Sequence, residues 1–453
     1  MSVLGAPRKG TAVVIGGGIA GTLAAWALSG YAELVIVVER DSLPTRPRFR
    51  SGVPQGLHAH LLLPGGLYAL EKIMPGIRAE LLAAGATPVR MSKDLHWLTP
   101  AGWLAKHQPE GTLLSCTRPV IDHAIGRRVY GESGQQSIDG TEIRFIEGAE
   151  VVGLVGSPRE VTGVRIRRRG NVTEFHQPAE MVVDASGRST KMARWLTEIG
   201  CVPIPTKTVD PGVAYSTRIF HRPPGIRDFQ ALYIQATATQ PWTGALLPVE
   251  DDRWIVSLGG MRGHEPGPGP AGFAKMLEQL RLRAPVFADA VGGAVPVDDR
   301  VHGMRPGSSI RHAYHHRSTP AGLVGIGDAH TSEDPVYGHG MTIAIKCALA
   351  LRAAVRSRGG IGHGAARAAC RRIGAASFDS WLMAAAEDIR YPGTTGGPSG
   401  RSLAVAQRVR DRILKGATVD ATVAAAFEQT VSLRRRTALL RPDVLLSLLA
   451  GDR

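Results

Sequence analysis

Near the start of the chain lies the segment Thr11-Ala-Val-Val-Ile-Gly16-Gly-Gly18-Ile-Ala-Gly21. Its apolar, β-branched opening is typical of a short buried strand, and apolar residues at helical spacing then continue through Leu28. Glycines at such a junction permit a tight turn, bring the backbone close to a pyrophosphate and let the helix pack on the strand. The helix N-terminus offers free N–H groups to phosphates. We therefore predict a dinucleotide site that includes Gly16, Gly18, Ala20 and Gly21.

A second apolar strand, residues 34–38, follows this helix and ends at Glu39. Strand, helix and strand in this order form the βαβ unit that opens a parallel sheet. An acidic residue at the end of the second strand is placed to hydrogen-bond the hydroxyls of a ribose. We assign Glu39 and its neighbour Arg40 to the same cofactor site.

Two further strand ends carry carboxylates and glycines, and they point to FAD rather than NAD. The segments are Val182-Val-Asp184-Ala-Ser-Gly187 and Gly325-Ile-Gly327-Asp328, the second followed by Pro335-Val-Tyr-Gly338-His-Gly340-Met341 and a helix. A carboxylate at the C-terminal end of a strand can bind a sugar-like hydroxyl, here the ribityl chain of a flavin. A helix N-terminus at the isoalloxazine edge stabilises the negative charge of reduced flavin. The predicted contacts are Asp184, Gly187, Gly327, Asp328, Gly338, Gly340 and Met341.

The middle of the chain has the pattern of an antiparallel sheet. Between residues 212 and 260, β-rich runs are separated by turn residues such as Glu250-Asp-Asp252. The predicted fold class is α/β with an α+β insert: a Rossmann-like FAD-binding domain with a parallel sheet, an antiparallel-sheet substrate domain and a helical C-terminal region. The predicted FAD-binding parts are residues 1–85, 116–200 and 311–358, the substrate-domain parts are 86–115 and 201–310, and the helical region is 359–453.

Composition argues against several classes of function. The chain has 453 residues, 43% of them hydrophobic and 21% charged, which is ordinary for a globular protein. Its net charge of +15 is spread along the chain and aromatic residues make up only 5%, so we predict no nucleic-acid binding. Residues 1–10 lack a signal-peptide core, no apolar run approaches a membrane span, and the four cysteines are scattered. We predict a cytoplasmic protein; a membrane-surface helix at 444–450 is a less common alternative to a packed one.

These motifs resemble those of the group A flavoprotein monooxygenases, typified by p-hydroxybenzoate hydroxylase. The likeness lies in the glycine fingerprint, in a relaxed Asp-Gly motif at 184–187 and in the Gly-Asp motif at 327–328. It extends to the FAD-dependent epoxidases of polyether biosynthesis, of the monensin and lasalocid type, at Arg50-Ser-Gly-Val-Pro-Gln-Gly-Leu-His58-Ala-His60, at 215–218 and at 335–341. Thr117-Arg118-Pro119 is similar to the flavin-contacting arginine segment of the family. The likeness covers roughly residues 10–355 and adds Gln55, His58 and Arg118 to the predicted cofactor contacts.

The resemblance implies that FAD is reduced, by NADPH or by a partner flavin reductase, and that a flavin C4a-hydroperoxide transfers one oxygen atom to a small organic substrate. A polyketide- or terpenoid-like substrate is implied by the family alone. Attack by an alkene needs no protein base, whereas a phenol benefits from one. No such base is identifiable, so epoxidation is favoured over hydroxylation. Pro335, His339 and Gly340 are expected at the reactive flavin edge, and the residues expected to line the substrate cavity are Tyr215, Arg218, Tyr233 and Trp242.

One departure from the epoxidase pattern leaves alternatives open. Thr331-Ser-Glu-Asp334 stands where that branch would carry a Phe-Asn or similar pair, and two acidic residues there would repel a reduced flavin anion. An FAD-containing cyclase that uses the flavin structurally is one alternative. A flavin-dependent halogenase is another, although its Trp-x-Trp-x-Ile-Pro motif and active-site lysine have no clear match. The histidines show no third ligand at a known spacing, so no metal site is predicted, and the sequence does not indicate an oligomeric state.

Overall fold

The computed structural model describes residues 10–108, 111–131, 133–225 and 228–450. Residues 1–9, on which the prediction about a signal peptide rests, lie outside this part of the chain, as do residues 451–453. The first twelve strands of the described chain are β1 Thr11–Ile15, β2 Leu34–Val38, β3 Leu61–Leu62, β4 Thr87–Arg90, β5 Leu95–Thr99, β6 Gly102–Trp103, β7 Thr112–Ser115, β8 Gln135–Ile138, β9 Thr141–Ile146, β10 Ala149–Gly156, β11 Val161–Arg168 and β12 Glu174–Pro178. The later strands are β13 Met181–Asp184, β14 Thr206–Asp210, β15 Ala214–His221, β16 Ala231–Ile234, β17 Trp242–Val249, β18 Arg253–Gly260, β19 His302–Met304, β20 Ser309–His312, β21 Leu323–Gly325, β22 Thr331–Ser332 and β23 Thr395–Gly396.

The helices lie between these strands and fill most of the C-terminal part. They are α1 Ile19–Leu28, α2 Pro64–Ile73, α3 Ile77–Ala83, α4 Arg118–Tyr130, α5 Met192–Glu198, α6 Gly269–Arg281, α7 Pro285–Gly292, α8 Gly340–Arg358, α9 His363–Ala376, α10 Phe378–Asp388, α11 Arg401–Val419, α12 Ala421–Val431 and α13 Pro442–Ala450. Short 3-10 helices lie at Pro54–Leu57, Gly327–Ala329, Pro335–Tyr337 and Ala438–Leu440.

A six-stranded sheet places the predicted cofactor motifs side by side. Its order is β21-β13-β1-β2-β9-β8, and every neighbouring pair is parallel except β8 with β9. Ile15 pairs with Asp184, and Asp184 pairs with Gly325, so the carboxyl ends of three strands from distant segments lie in one row. The strands are runs of Val, Ile and Leu because the sheet is buried in the main hydrophobic core, with α1 and α8 packed together beside it. The prediction of a parallel sheet in a Rossmann-like fold is confirmed.

A seven-stranded sheet forms the predicted antiparallel insert. Its order is β19-β15-β18-β17-β16-β5-β6, and its pairs are antiparallel apart from β16 with β5. β16, β17 and β18 follow one another along the chain in antiparallel order, whereas β5 comes from a distant segment and lies parallel to β16. One face packs Phe220, Leu232 and Trp254 against α6 and α7. The other face packs against residues of β4, β7 and the segment that precedes α2.

Three smaller sheets lie outside the two large ones, and two of them join parts of the chain that were predicted to belong to different domains. The predicted domain boundaries themselves stay predictions. β3, β7 and β4 form one such sheet, which joins residues on both sides of the boundary predicted at 85/86. The sheet β22-β20-β14-β23 joins the predicted substrate part to the two parts that follow it. The third is the meander β10-β11-β12. The segments are thus held together by backbone pairing as well as by side-chain packing.

The predicted helices of the C-terminal region are present and pack back on the rest of the fold. α9 packs on α8 in the main core. α11, α12 and α13 form a smaller core around Phe427, which Trp97 of β5 contacts. Lys346 Nζ of α8 donates a hydrogen bond to the Leu433 carbonyl at 2.6 Å. Among the described helices, none is long and apolar enough to cross a membrane.

Candidate functional site

The turn between β1 and α1 has the geometry that a phosphate group needs. Gly16 has a φ of +97°, and its N–H donates to the Val38 carbonyl at 2.9 Å. A Cβ on Gly21 would overlap the Gly16 carbonyl oxygen, so this glycine lets the helix pack on the turn. A Cβ on Gly18 would meet no atom within 4 Å, so the space beside the helix N-terminus is open. An anion placed there would meet the unpaired N–H groups of α1.

A buried arginine lies beside this turn, and sequence reasoning did not assign it to the site. The Glu39 carboxylate accepts a hydrogen bond from the Gly17 N–H at 2.6 Å. The Arg50 guanidinium lies 3.8 Å from Glu39 and 3.6 Å from Asp122, and its Nη1 has no hydrogen-bond partner in the described chain. Arg40 is exposed and donates to a loop carbonyl instead. Arg50 therefore has a buried N–H donor without a partner beside the predicted ribose site, and the carboxylates of Glu39 and Asp122 compensate its positive charge.

The segment before α2 connects this turn with the seven-stranded sheet. Gln55 is half-buried on a short 3-10 helix. His58 Nδ1 lies 2.8 Å from the Thr217 hydroxyl of β15. Arg118, at the start of α4, donates from Nε to Asp122 at 2.7 Å. Asp122 thus lies between Arg118 and Arg50 and joins these two arginines in one polar network.

The two predicted carboxylates at strand ends differ in their contacts. Asp184 is fully buried and accepts four hydrogen bonds, from the N–H and hydroxyl of Ser186 and from the hydroxyls of Thr190 and Tyr314. Burial raises the pKa of Tyr314 well above 10, so this phenol stays a donor. Asp328 is half-buried, and its carboxylate has no hydrogen-bond partner among the described residues. The carboxylate oxygens of Asp328 can therefore accept hydrogen bonds from a ligand, whereas those of Asp184 already accept hydrogen bonds from the protein.

Gly327 brings the third strand end against α1. Its φ is +60°, and a Cβ here would lie 2.6 Å from the Ala20 methyl group. Asp328 lies next to the start of α8, since its Oδ1 would be 3.8 Å from a Cβ on Gly340. α8 is 19 residues long, begins at the exposed Gly340 and has no acidic residue in its first turn, so its positive end is open to a negatively charged group. The remaining predicted contacts on these loops are Gly187 and Gly338, both with positive φ, and the buried Met341.

His339 is held on both sides of its ring. Its Nδ1 lies 3.1 Å from Glu333 Oε2, and its Nε2 lies 3.0 Å from the Val431 carbonyl of α12. A carbonyl oxygen only accepts, so Nε2 carries a proton, and the contact with Glu333 needs a second proton between the two groups. Pro335 and Gly340, the other residues predicted at the flavin edge, are exposed. His339 therefore connects the predicted flavin edge to the C-terminal helices.

Asp334 lies in a buried cluster of carboxyl and phenol groups. It accepts hydrogen bonds from the Tyr215 hydroxyl and from the Val336 N–H at 3.0 Å. Asp388, at the end of α10, accepts from the Tyr337 hydroxyl at 2.6 Å. Burial raises the pKa of both carboxyl groups and of both phenols. Asp334, one of the two acidic residues that depart from the epoxidase pattern, thus meets donors inside the protein through Oδ1, whereas its buried Oδ2 has no partner in the described chain.

The structure brings together two of the four predicted substrate residues. Tyr215 and Tyr233 face the side of the seven-stranded sheet that is turned toward the cofactor motifs, and Tyr233 packs on Trp97 with ring centroids 5.3 Å apart. Arg218 lies on the opposite face of β15 and donates to a loop carbonyl at 2.9 Å. Trp242 packs with the core on that opposite face. Side chains alternate across a strand, so the sheet separates Arg218 and Trp242 from the other two residues.

We expect acid to destabilise the protein through histidines that burial keeps neutral. Burial lowers the pKa of His58 from 6.5 to about 4, so protons bind preferentially to the unfolded chain. The stability that depends on neutral His58 is therefore fully present above pH 6.5 and is lost as the pH falls toward 4. Glutamine at position 58 keeps a partner for Thr217 but does not titrate. His58→Gln should therefore reduce the acid-induced decrease in the free energy of unfolding, by at most about 3 kcal/mol. Urea unfolding at about pH 7 and about pH 4.5 measures it, and the same pH dependence in both proteins would contradict the prediction.

Comparison with known proteins gives one relative over nearly the whole chain. No family model matches the chain. Protein Rv3254 of Mycobacterium tuberculosis (strain ATCC 25618 / H37Rv) is 31% identical over 437 residues, which is 94% of this chain and 90% of that protein. At this identity and coverage the two chains share their fold along almost their full length.

Solved structures of flavin-dependent enzymes share the fold at low sequence identity. A triple mutant of the flavin-dependent brominase Bmp2 superimposes with a TM-score of 0.64 and 15% identity over 98% of this chain and 99% of that chain. The p-nitrophenol 4-monooxygenase PnpA from Pseudomonas putida DLL-E4 gives a TM-score of 0.60 and 16% identity over 94% and 98%. The Diels-Alderase PyrE3 of pyrroindomycin biosynthesis gives 0.59 and 16% over 93% and 80%. The fold is that of the flavin-dependent monooxygenases and halogenases.

Proposed function

We propose that this chain, which belongs to the same family as the Mycobacterium tuberculosis protein Rv3254, is an FAD-dependent monooxygenase that acts on a small organic substrate. The observation that carries the proposal is the row of three strand ends in the six-stranded sheet. It brings the open turn at Gly18, the unpaired carboxylate of Asp328 and the N-terminus of α8 to one edge, although they are far apart in the sequence. Likeness of fold to flavin-dependent monooxygenases supports the same conclusion.

The groups at this edge fit a flavin dinucleotide. The open turn at Gly18 and the N–H groups of α1 would hold the pyrophosphate. Glu39 and the unpaired Nη1 of Arg50 would meet the ribose, and Asp328 a hydroxyl of the ribityl chain. The N-terminus of α8 would stabilise negative charge on the flavin ring. When bound, FAD supplies the redox chemistry and the activation of O2, which amino-acid side chains do not provide.

The polar side chains around the predicted flavin edge are hydrogen-bonded to groups of the protein itself. The Tyr215 hydroxyl donates to Asp334, and His339 lies between Glu333 and the Val431 carbonyl. Because these groups hydrogen-bond one another, they are not free to take a proton from the substrate. This favours a reaction in which the substrate loses no proton. On this ground we favour epoxidation of an alkene over hydroxylation of a phenol, in a polyketide- or terpenoid-like substrate. Electrons would come from NADPH or from a partner flavin reductase.

Isotope labelling tests the reaction. The flavin-loaded protein would be supplied with NADPH or a flavin reductase, candidate polyenes and ¹⁸O2, and the products weighed by mass spectrometry. A product that gains one labelled oxygen atom would support the monooxygenase. An isomer of unchanged mass would support the cyclase alternative, and a halogenated product formed with added halide would support the halogenase. Either of the last two results would overturn the proposal.

Asp328→Asn should weaken FAD binding by about tenfold to 100-fold and leave the fold intact. The reason is the loss of a charge-assisted hydrogen bond from a ribityl hydroxyl, while no protein contact of the carboxylate is broken. Flavin absorbance per protein after extensive dialysis measures the effect. Asp252→Asn, in an exposed turn, is the matched control. Equal flavin content in both variants would refute the assignment of Asp328.

A further inference from the structure

A pocket of about 340 Å³ lies between β20, α9 and the start of α10, and a residue that follows α12 also lines it. We call it the arginine pocket. Its volume lies at the lower end of the range of small-molecule sites, roughly 300–1000 Å³. The side chains that define it are those of Arg311, His315, Arg371, Phe378, Asp379 and Arg436.

One face of α9 forms part of the wall of the arginine pocket. Arg371, Gly374 and Ala375 are separated by three and four residues from the first to the others, so they lie on the same face of the helix. A Cβ on Gly374 would lie 3.4 Å from His315 Nδ1 and 3.7 Å from Arg311 Nη2. The glycine therefore leaves space where an imidazole and a guanidinium group approach the helix.

Arg311 is a half-buried cation without a carboxylate partner in the described chain. Its Nη2 donates to the Gly374 carbonyl at 2.9 Å, and its guanidinium lies over the Phe378 ring, 5.3 Å from the ring centroid. Nη1 has no partner among the described residues and, unlike the enclosed Nε, is open to solvent. Burial lowers the pKa of Arg311, because a charge taken from water without a counter-charge is unfavourable. An anion at Nη1 would supply this counter-charge.

The other side chains leave the arginine pocket positively charged. Arg371 is exposed and has no hydrogen bond or ion pair with another described residue. Both oxygens of Asp379 are engaged by Arg436, at 3.0 and 3.2 Å. Burial and the nearby Arg311 lower the pKa of His315, so its ring is neutral at pH 7 and can donate from one nitrogen. Two guanidinium groups of the pocket are therefore available to a ligand.

This set of donors fits a phosphate group. Guanidinium groups bind phosphate oxygens through paired N–H donors. A phosphate monoester carries about two negative charges at pH 7 and three terminal oxygens, so it can meet both free arginines and the histidine ring together. A carboxylate carries a single charge and would compensate only one of the two arginines.

We propose that the arginine pocket binds the phosphate group of a small molecule, held by the guanidinium groups of Arg311 and Arg371 with the His315 ring as a further donor. It would be a second ligand site of the protein. None of its lining residues belongs to the predicted cofactor site, so the inference goes beyond the proposed function and does not rest on it.

Such a ligand would lie where the C-terminal segment meets α9. Arg436 follows α12, and the Val431 carbonyl of that helix accepts a hydrogen bond from His339 at 3.0 Å. An anion between α9 and Arg436 would therefore strengthen the attachment of the segment that contacts the predicted flavin edge.

Calorimetric titration of the flavin-loaded protein tests this site with four probes at constant ionic strength: inorganic phosphate, AMP, adenosine and acetate. FAD fills the predicted dinucleotide site beforehand, so AMP would not bind there. We expect saturable binding of phosphate and of AMP with Kd below about 1 mM, and at least about tenfold weaker binding of adenosine and acetate. Tighter binding of AMP than of phosphate would identify a nucleotide as the source of the phosphate group. Phosphate binding that is as tight as that of AMP, or tighter, would identify the free ion.

Two neighbouring arginines of α9 locate the binding. Arg371→Gln removes a free guanidinium from an exposed position and should raise Kd for phosphate at least about tenfold. Arg372 is also exposed but lies about 100° further around the helix and does not line the pocket, so Arg372→Gln should change Kd less than about twofold. Arg311→Gln should have the same effect as Arg371→Gln, and circular dichroism checks its folding.

Four results would each overturn the inference. They are phosphate uptake that does not saturate, equal affinity for acetate and phosphate, equal affinity for adenosine and AMP, and equal effects of Arg371→Gln and Arg372→Gln. A protein that binds phosphate through Arg371 but retains no FAD would overturn the proposed function alone.

Discussion

Gly18→Val is expected to give a folded protein that retains almost no FAD. The backbone at Gly18 has a φ of −74° and a ψ of −176°, which valine adopts without strain, and its Cβ would meet no protein atom within 4 Å. The same side chain would occupy the space beside the N-terminus of α1, where the pyrophosphate would lie. We expect Kd for FAD to rise at least about 100-fold. Flavin absorbance after gel filtration and far-ultraviolet circular dichroism measure binding and folding separately.

Two other glycines provide the controls for this prediction. A Cβ on Gly364 of α9 also meets no atom within 4 Å, so Gly364→Val should fold and keep its FAD. A Cβ on Gly21 overlaps the Gly16 carbonyl oxygen, so Gly21→Ala should destabilise the turn itself. Full flavin content in Gly18→Val would contradict the proposal that this turn holds a pyrophosphate.

The parts of the fold that the sequence predicted are those with strong local patterns. The strand, glycine turn and helix from Thr11 to Leu28 form where expected because apolar periodicity and turn residues are local signals. The parallel pairing of β5 with β16 was not predicted, because strand partners that are distant in the sequence leave no local mark.

The contacts of individual site residues were harder to predict. Asp184 and Asp328 both follow an apolar strand. Only Asp184 accepts a hydrogen bond from Tyr314, which comes from a distant segment of the chain. Arg50 stands in a segment singled out by its motif, yet its place between Glu39 and Asp122 depends on tertiary packing. The strand period of two could have separated Tyr215 from Arg218, since residues three apart on a strand face opposite sides.

Asp184→Asn is expected to lower the free energy of unfolding by about 3 kcal/mol, because a fully buried acceptor of four hydrogen bonds becomes partly a donor. The hydroxyls of Thr190 and Tyr314 both donate to Oδ2, and the N–H and hydroxyl of Ser186 both donate to Oδ1, so an amide nitrogen at either position would face two donors in the core. Urea unfolding of the flavin-free proteins measures this cost, since bound FAD would add its own stabilisation.

Measured in the same way, Asp328→Asn should change the free energy of unfolding by less than about 0.5 kcal/mol, because this carboxylate has no protein partner to lose. The two substitutions therefore separate two uses of the same sequence pattern: one carboxylate organises the end of β13, and the other is left open beside α8. Equal losses of stability in the two variants would show that Asp328 is also structural, and its role in binding FAD would then have no support from the geometry.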